Sequence, residues 1–206
     1  MLGAHPLLVR ARLDRLQPTQ ITVGKAEVAQ KRKEWGQLGK KARSAVLEQH
    51  WFPGIAGPDG RQYIIDHHHF GLALLEEGVK SVWLVILKDL SPLDSAPFWS
   101  MMDHMQWVRP YGADGLRHGF DALPARLDQM QDDPVRSLAG ALRRAGGFAK
   151  DIAPFSEFLW ADFLRRRIAA PMLQKDFAKA SRKAMQLAHS PEASYLPGWV
   201  GAGGMR

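Results

Sequence analysis

No glycine or proline separates the apolar run Gln62-Tyr63-Ile64-Ile65 from the helix-forming stretch Phe70 to Glu77, and all that lies between them is Asp66-His67-His68-His69. Pro58-Asp59-Gly60 upstream is a turn signal, and Gly78 downstream sits where a helix usually stops. A short buried strand therefore passes straight into a helix, and such a junction requires helices packed on a sheet. The neighbouring segments agree. Leu7 to Leu13 alternates apolar and basic residues as a half-buried strand does, and Asp14 to Thr22 reads as a loop. Lys25 to His50 reads as helix interrupted near Gly36 and Gly39. Val82-Trp83-Leu84-Val85-Ile86-Leu87 reads as another strand. The order strand, helices, strand, helix, strand predicts an α+β fold, a small mixed sheet with helices, ending at Pro92.

Residues 93–206 are different and form the second expected unit, a helical extension with an irregular tail after Ser190. Asp133-Pro134 is a strong helix start, because Asp caps free backbone N–H groups and Pro needs none in the first turn. Val135, Leu138, Ala139 and Leu142 then recur at helical spacing until Gly146-Gly147, and Phe155, Phe158, Leu159 and Phe163 repeat the pattern. A last helix is expected from about Gln174 to His189.

The chain has no cysteine, which removes disulfides, thiolate metal sites and cysteine nucleophiles and suits a reducing compartment. Arg10, Arg12 and Arg15 break up the apolar residues of the N-terminal stretch, and no segment has the length of a membrane span, so the expected location is the cytoplasm, with no membrane partner. The net charge of +7 is concentrated. Residues 25–43 carry seven Lys/Arg against two acids and residues 140–185 ten against four, whereas residues 51–135 carry six against twelve. Basic arms of this kind attract nucleic acid or nucleotides, and Arg165-Arg166-Arg167 is the densest such run; solvated helix faces are the plain alternative.

The histidine junction is the best candidate site. Side chains between a strand and a helix share a small pocket with the helix's first N–H groups, a standard seat for phosphate. Asp66 can act as a base or bind Mg²⁺ or another divalent cation, while His67 and His68 can contact phosphate or relay protons, and His68 can ligate a metal beside Asp66. His69 is a further phosphate contact, although three consecutive histidines on one element cannot all face one point. Upstream, Gln20, Thr22, Gly24 and Lys25 are candidate phosphate or ribose contacts and Glu27 a candidate general base. Trp99, Trp107 and Trp160 could stack on bases, but Trp160 lies in an apolar helical pattern that favours core packing.

The stretch Tyr63 to Leu74 resembles the strand-to-helix signature of the ParB/sulfiredoxin superfamily, a D-G-H-H-R pattern followed by a helix with an A-L or A-A pair. Leu16 to Gly24 with Glu27-Val28 resembles the opening motif of the ParB-like nuclease family, and the likeness continues through Phe98-Trp99, Asp132 to Ala139 and Phe158 to Asp162. The resemblance implies a nucleotide-binding fold that takes CTP, ATP or ADP in different relatives, and phosphoryl transfer or phosphate-ester hydrolysis if the chain is an enzyme. A metal-dependent nuclease and a non-enzymatic nucleic-acid-binding module are the alternatives. Two departures matter: the pattern's glycine is His67 here and its phosphate-contacting arginine is Phe70. Sulfiredoxin chemistry is excluded for want of cysteine, and no helix-turn-helix supports a partition function. Ile64 to His68 also matches the D-H-H signature of a two-manganese phosphoesterase superfamily, but the required earlier D-x-D is missing.

Overall fold

A computed structural model describes residues 7–152 and 154–202. The part of the N-terminal stretch before Leu7 and the last residues of the tail lie outside them. The chain forms two compact units, one made of residues 1–23 and 28–131, the other of 24–27 and 132–206. The boundary expected at Pro92 is thus at 131/132, because Ser95 to Gln131 packs with the first unit.

The first unit is a mixed five-stranded sheet with strand order β1-β6-β4-β5-β2. These are β1 (Leu7–Arg12), β2 (Gln17–Pro18), β4 (Trp51–Ala56), β5 (Gln62–Ile64) and β6 (Ser81–Asp89); the short β3 (Thr22–Val23) and β7 (Gln131–Asp132) lie where the chain passes between units. β1 runs antiparallel to β6, β4 parallel to β6 and antiparallel to β5, and β2 parallel to β5. Helices α1 (Lys25–Gln37), α2 (Lys40–Gln49) and α3 (His68–Glu76) cover one face, and α4 (Ser95–His104) follows β6. Phe52, Ile64, Leu72, Leu74, Val82 and Leu84 form the main core with Val28 and Trp35.

The sequence reading missed β4, since Pro53 and Gly54 argue against a strand. The structure accommodates both: the register shifts by a bulge at Gly54/Ile55, the Pro53 carbonyl accepts the Ile65 N–H at 3.0 Å, and a Cβ on Gly54 would lie 2.6 Å from a Leu84 methyl. It also missed β2, two residues on the sheet edge where Pro18 needs no ladder donor.

The second unit is helical: α5 (Pro134–Arg144), α6 (Ser156–Arg165), α7 (Ala170–Lys175) and α8 (Phe177–Ala188). Val135, Leu138, Ala139 and Leu142 bury as their spacing requires, together with Trp160, Phe163, Ala180 and Ala184. Trp160 is fully buried, stacks on Phe148 at 4.4 Å, and donates its indole N–H to the Pro197 carbonyl, so it is a core residue. No helix among the described residues is long and apolar enough to cross a membrane.

Candidate functional site

At the strand-to-helix junction the backbone turns on a single residue. His67 precedes α3 with φ 63° and ψ 22°, the left-handed region that glycine adopts freely and other L-residues only at a cost of about 1–2 kcal/mol. The Asp66 carboxylate accepts the His67 N–H at 2.6 Å, and the His67 carbonyl accepts the N–H of Gly71 at 2.8 Å, the first turn of the helix. Asp66 itself is exposed. Two of the three histidines, His67 and His68, point to different partners.

His68 points inward and is buried. Its Nε2 accepts the backbone N–H of Thr19 at 3.1 Å, while the Thr19 hydroxyl donates to the Ile64 carbonyl at 2.9 Å. An imidazole nitrogen that accepts an N–H carries no proton, so neutral His68 holds its proton on Nδ1. This contact ties the segment before β3 to the β5–α3 junction. Gln20 of that segment and Thr22 of β3 are buried, and Gln20 forms an isolated β-bridge with Arg109.

His67 points the other way, to a residue the sequence reading did not single out. Its Nδ1 lies 3.1 Å from Nε2 of His50, which ends α2, and the two rings meet edge to face at 4.4 Å. His50 also packs edge-on against Phe70 at 4.7 Å and Phe52 at 5.8 Å. Burial chiefly, and then the neighbouring His67 and Lys31, hold the His50 pKa below the usual imidazole value, with Asp66 opposing. The pair lines a cavity of about 290 Å³ together with Lys31, Trp35 and Phe70, and with Glu34. Lys31, Glu34 and Trp35 fall at helical spacing on α1, with Leu38 just past its end, which is the sequence signal that could have placed them on one face. Lys31 comes from the first basic arm and brings positive charge to the histidines.

Gly24, Lys25 and Glu27 fold with the second unit. Asp132 accepts the Lys25 N–H at 2.8 Å, the Ser137 hydroxyl accepts that of Ala26 at 3.2 Å, and the Gly24 carbonyl accepts that of Glu27 at 3.0 Å. Protein acceptors thus take the N–H groups that a phosphate would have used at the start of α1. Glu27 is buried against Gly140, with Arg144 at 3.7 Å. In the same unit Asp133 caps α5 through the N–H groups of Val135 and Arg136, and pairs with Arg165, which also meets Asp162 at 3.0 Å. Arg136 lies over the Phe158 ring at 3.9 Å. Arg167 bonds Glu192 and the Phe163 carbonyl. Within Arg165-Arg166-Arg167 the first and last cations are therefore committed internally, and Arg166 alone of the three is exposed.

The donor set does not fit a resident metal. Among the described residues no group of three or more His, Cys, Asp or Glu side chains is placed to hold one, and His68 Nε2 is already an acceptor.

The sequence pattern of the family described as "Putative ParB-like nuclease" matches residues 9–166. The chain belongs to this ParB-like nuclease family. The crystal structure of protein Atu1540 from Agrobacterium tumefaciens is similar to it over 96% of this chain and 98% of that one, at 49% identity and a TM-score of 0.91. No curated protein matches the chain. The family match runs from within β1 through the rest of the sheet unit and on through α5 and α6, so the ParB-like module extends well past Pro92.

Proposed function

We propose that this ParB-like chain binds a phosphate-containing ligand, a nucleotide in the first instance, in the cavity beside His67, and that the His50–His67 pair acts on its phosphate ester. The observation that carries this reading is the pair itself. A strained backbone position is kept at the junction, and the ring it carries is bonded to a second imidazole on the wall of a cavity that also holds Lys31. Lys31 attracts the phosphate oxygens, and Trp35 and Phe70 offer an apolar wall to the rest of the ligand. Neutral His50 accepts a proton on Nδ1 from the attacking water as its oxygen bonds to phosphorus, and passes its Nε2 proton to Nδ1 of His67. As the ester P–O bond breaks, His67 gives its Nε2 proton to the leaving oxygen, so both rings start and end neutral. Asp66 holds the His67 backbone through its N–H, a positioning role.

Calorimetry with CTP, ATP, ADP and the monophosphates, with and without Mg²⁺, tests the reading. Binding that falls at least tenfold in Lys31→Ala and His67→Ala is the expected result. If no nucleotide binds, or both variants bind as the parent does, the reading fails. The family's description favours a second substrate for the same pair, a phosphodiester in nucleic acid. Cleavage of single- or double-stranded substrate that survives EDTA and is lost in His50→Ala supports it.

A further inference from the structure

The segment from Met105 to Met130 contains no α-helix and no strand, only the single 3₁₀ turns Phe120–Ala122 and Leu127–Gln129. Irregular segments of this length inside a compact unit are uncommon and generally serve a site. This one is held in place: Arg117 pairs with Asp103 at 2.9 Å and lies over the Phe120 ring, Arg109 lies over Tyr111 at 3.7 Å, and Leu127 is fully buried. It walls a cavity of about 430 Å³ that the His67 site does not use.

The opposite wall comes from the sheet edge and α4. Arg61 and Tyr63 are two residues apart in and beside β5 and so project to one face, and Gln17 of β2 is the register partner of Tyr63. Tyr63 is fixed against Gly57, where a Cβ would come within 2.4 Å of its ring, and burial holds its phenol pKa above the usual value, with Arg61 opposing. Trp99 meets Tyr63 edge-on at 5.5 Å and stacks on Phe120 at 5.2 Å. The cavity therefore has an aromatic wall of three rings, a guanidinium at its rim, and hydrogen-bonding groups of both kinds in Gln17 and Asp121. The ion pair of Arg61 with Asp59 is long, 3.7 Å, between two exposed side chains, so it contributes little and leaves the guanidinium able to turn to an anion.

From this geometry we infer a second ligand site, for a planar heteroaromatic ring that carries an anionic group, the chemistry of a nucleobase with its phosphate. The rings pack the base, Gln17 and Asp121 meet donors and acceptors on its edge, and Arg61 takes the phosphate. A free mononucleotide and a nucleotide within a single strand share this chemistry.

Calorimetric titration of the full chain with AMP, with CMP and with a short single-stranded oligonucleotide distinguishes the two sources. The parent, Arg61→Ala, Phe120→Ala and His67→Ala are compared. Arg61 is exposed, so its variant keeps the fold, and Arg61→Lys restores part of the affinity through charge alone. The expected result is two binding events, one weakened at least tenfold by Arg61→Ala and Phe120→Ala and unchanged by His67→Ala, the other weakened by His67→Ala alone. Binding confined to the oligonucleotide with the same dependence assigns the site to a strand. Binding indifferent to Arg61 and Phe120, or no binding by any probe, overturns the proposal. Failure of the His67 reading appears separately, as indifference to His67→Ala and Lys31→Ala.

Discussion

Replacing His67 by glycine separates the two things this position does. Its φ of 63° is a conformation that a Cβ disfavours by about 1–2 kcal/mol, and glycine removes that term. Glycine also widens the unfolded ensemble, which gives back about 0.4–1 kcal/mol. Loss of the imidazole removes the hydrogen bond to His50, worth about 0.5–1.5 kcal/mol, and the edge contact with Phe52. His67→Ala loses the same ring but keeps the strained backbone. The difference between the two variants is therefore the strain less the unfolded-state term: His67→Gly should be more stable than His67→Ala by about 1 kcal/mol, or about 2–4 °C in Tm for a chain of this size. Urea unfolding followed by circular dichroism measures it, with the m-value checked for constancy. Both variants should lose ligand binding at the His67 cavity equally, since neither has the ring. If alanine proves more stable than glycine by the unfolded-state term of about 0.4–1 kcal/mol, position 67 is not strained, and the argument that strain is retained there for the sake of an imidazole collapses.

His68→Ala strands the Thr19 N–H in a buried setting and should cost about 1–3 kcal/mol beyond the lost packing, read from the urea midpoint; a variant as stable as the parent would show that Thr19 finds another acceptor. Asp133→Ala removes the cap of α5 and leaves Arg165 without its buried partner, a loss of about 3–5 kcal/mol, while Arg166→Ala should stay within about 0.5 kcal/mol by the same measurement. Because burial lowers the His50 pKa in the folded chain, the unfolded chain binds more protons as acid is added. The stability contribution of neutral His50 is therefore full above its ordinary value of 6.5 and lost as pH falls through the lowered one. Urea midpoints from about pH 8 to about pH 5 should decline less steeply in His50→Asn than in the parent, and identical slopes would remove His50 from the account.

What the sequence disclosed follows the range of the signal. Leu7 to Arg12, the helix break between Gln37 and Lys40, and the α5 stripe from Val135 to Leu142 are local periodicities with local stop signals, and each element lies where its pattern puts it. β4 was hidden because Pro53 and Gly54 act through a bulge and a close approach to Leu84, both of which depend on neighbouring strands. His50 was hidden for the same reason: nothing around it in the chain marks it, and its partner is brought to it by the packing of α2 on the sheet. The first basic arm was legible as charge, but that Lys31 would face the histidines was settled by tertiary packing.

The two departures from the superfamily pattern also look different once the backbone is known. In sequence, His67 for glycine and Phe70 for arginine are two losses, one of flexibility and one of a phosphate contact. In the structure the glycine-type backbone persists at His67, so the exchange adds an imidazole without removing the turn. Phe70 packs on His50, and it lines the same cavity as Lys31, which supplies a cation where the pattern's arginine is missing. The exchanges are therefore coupled through His50: one ring bonds it, the other packs its edge. Restoring the pattern by His67→Gly together with Phe70→Arg would remove both supports of His50 and place a second cation beside Lys31. The double variant should therefore lose activity that depends on the pair even if it binds phosphate more tightly, a split between binding and turnover that neither exchange read as a simple loss would predict.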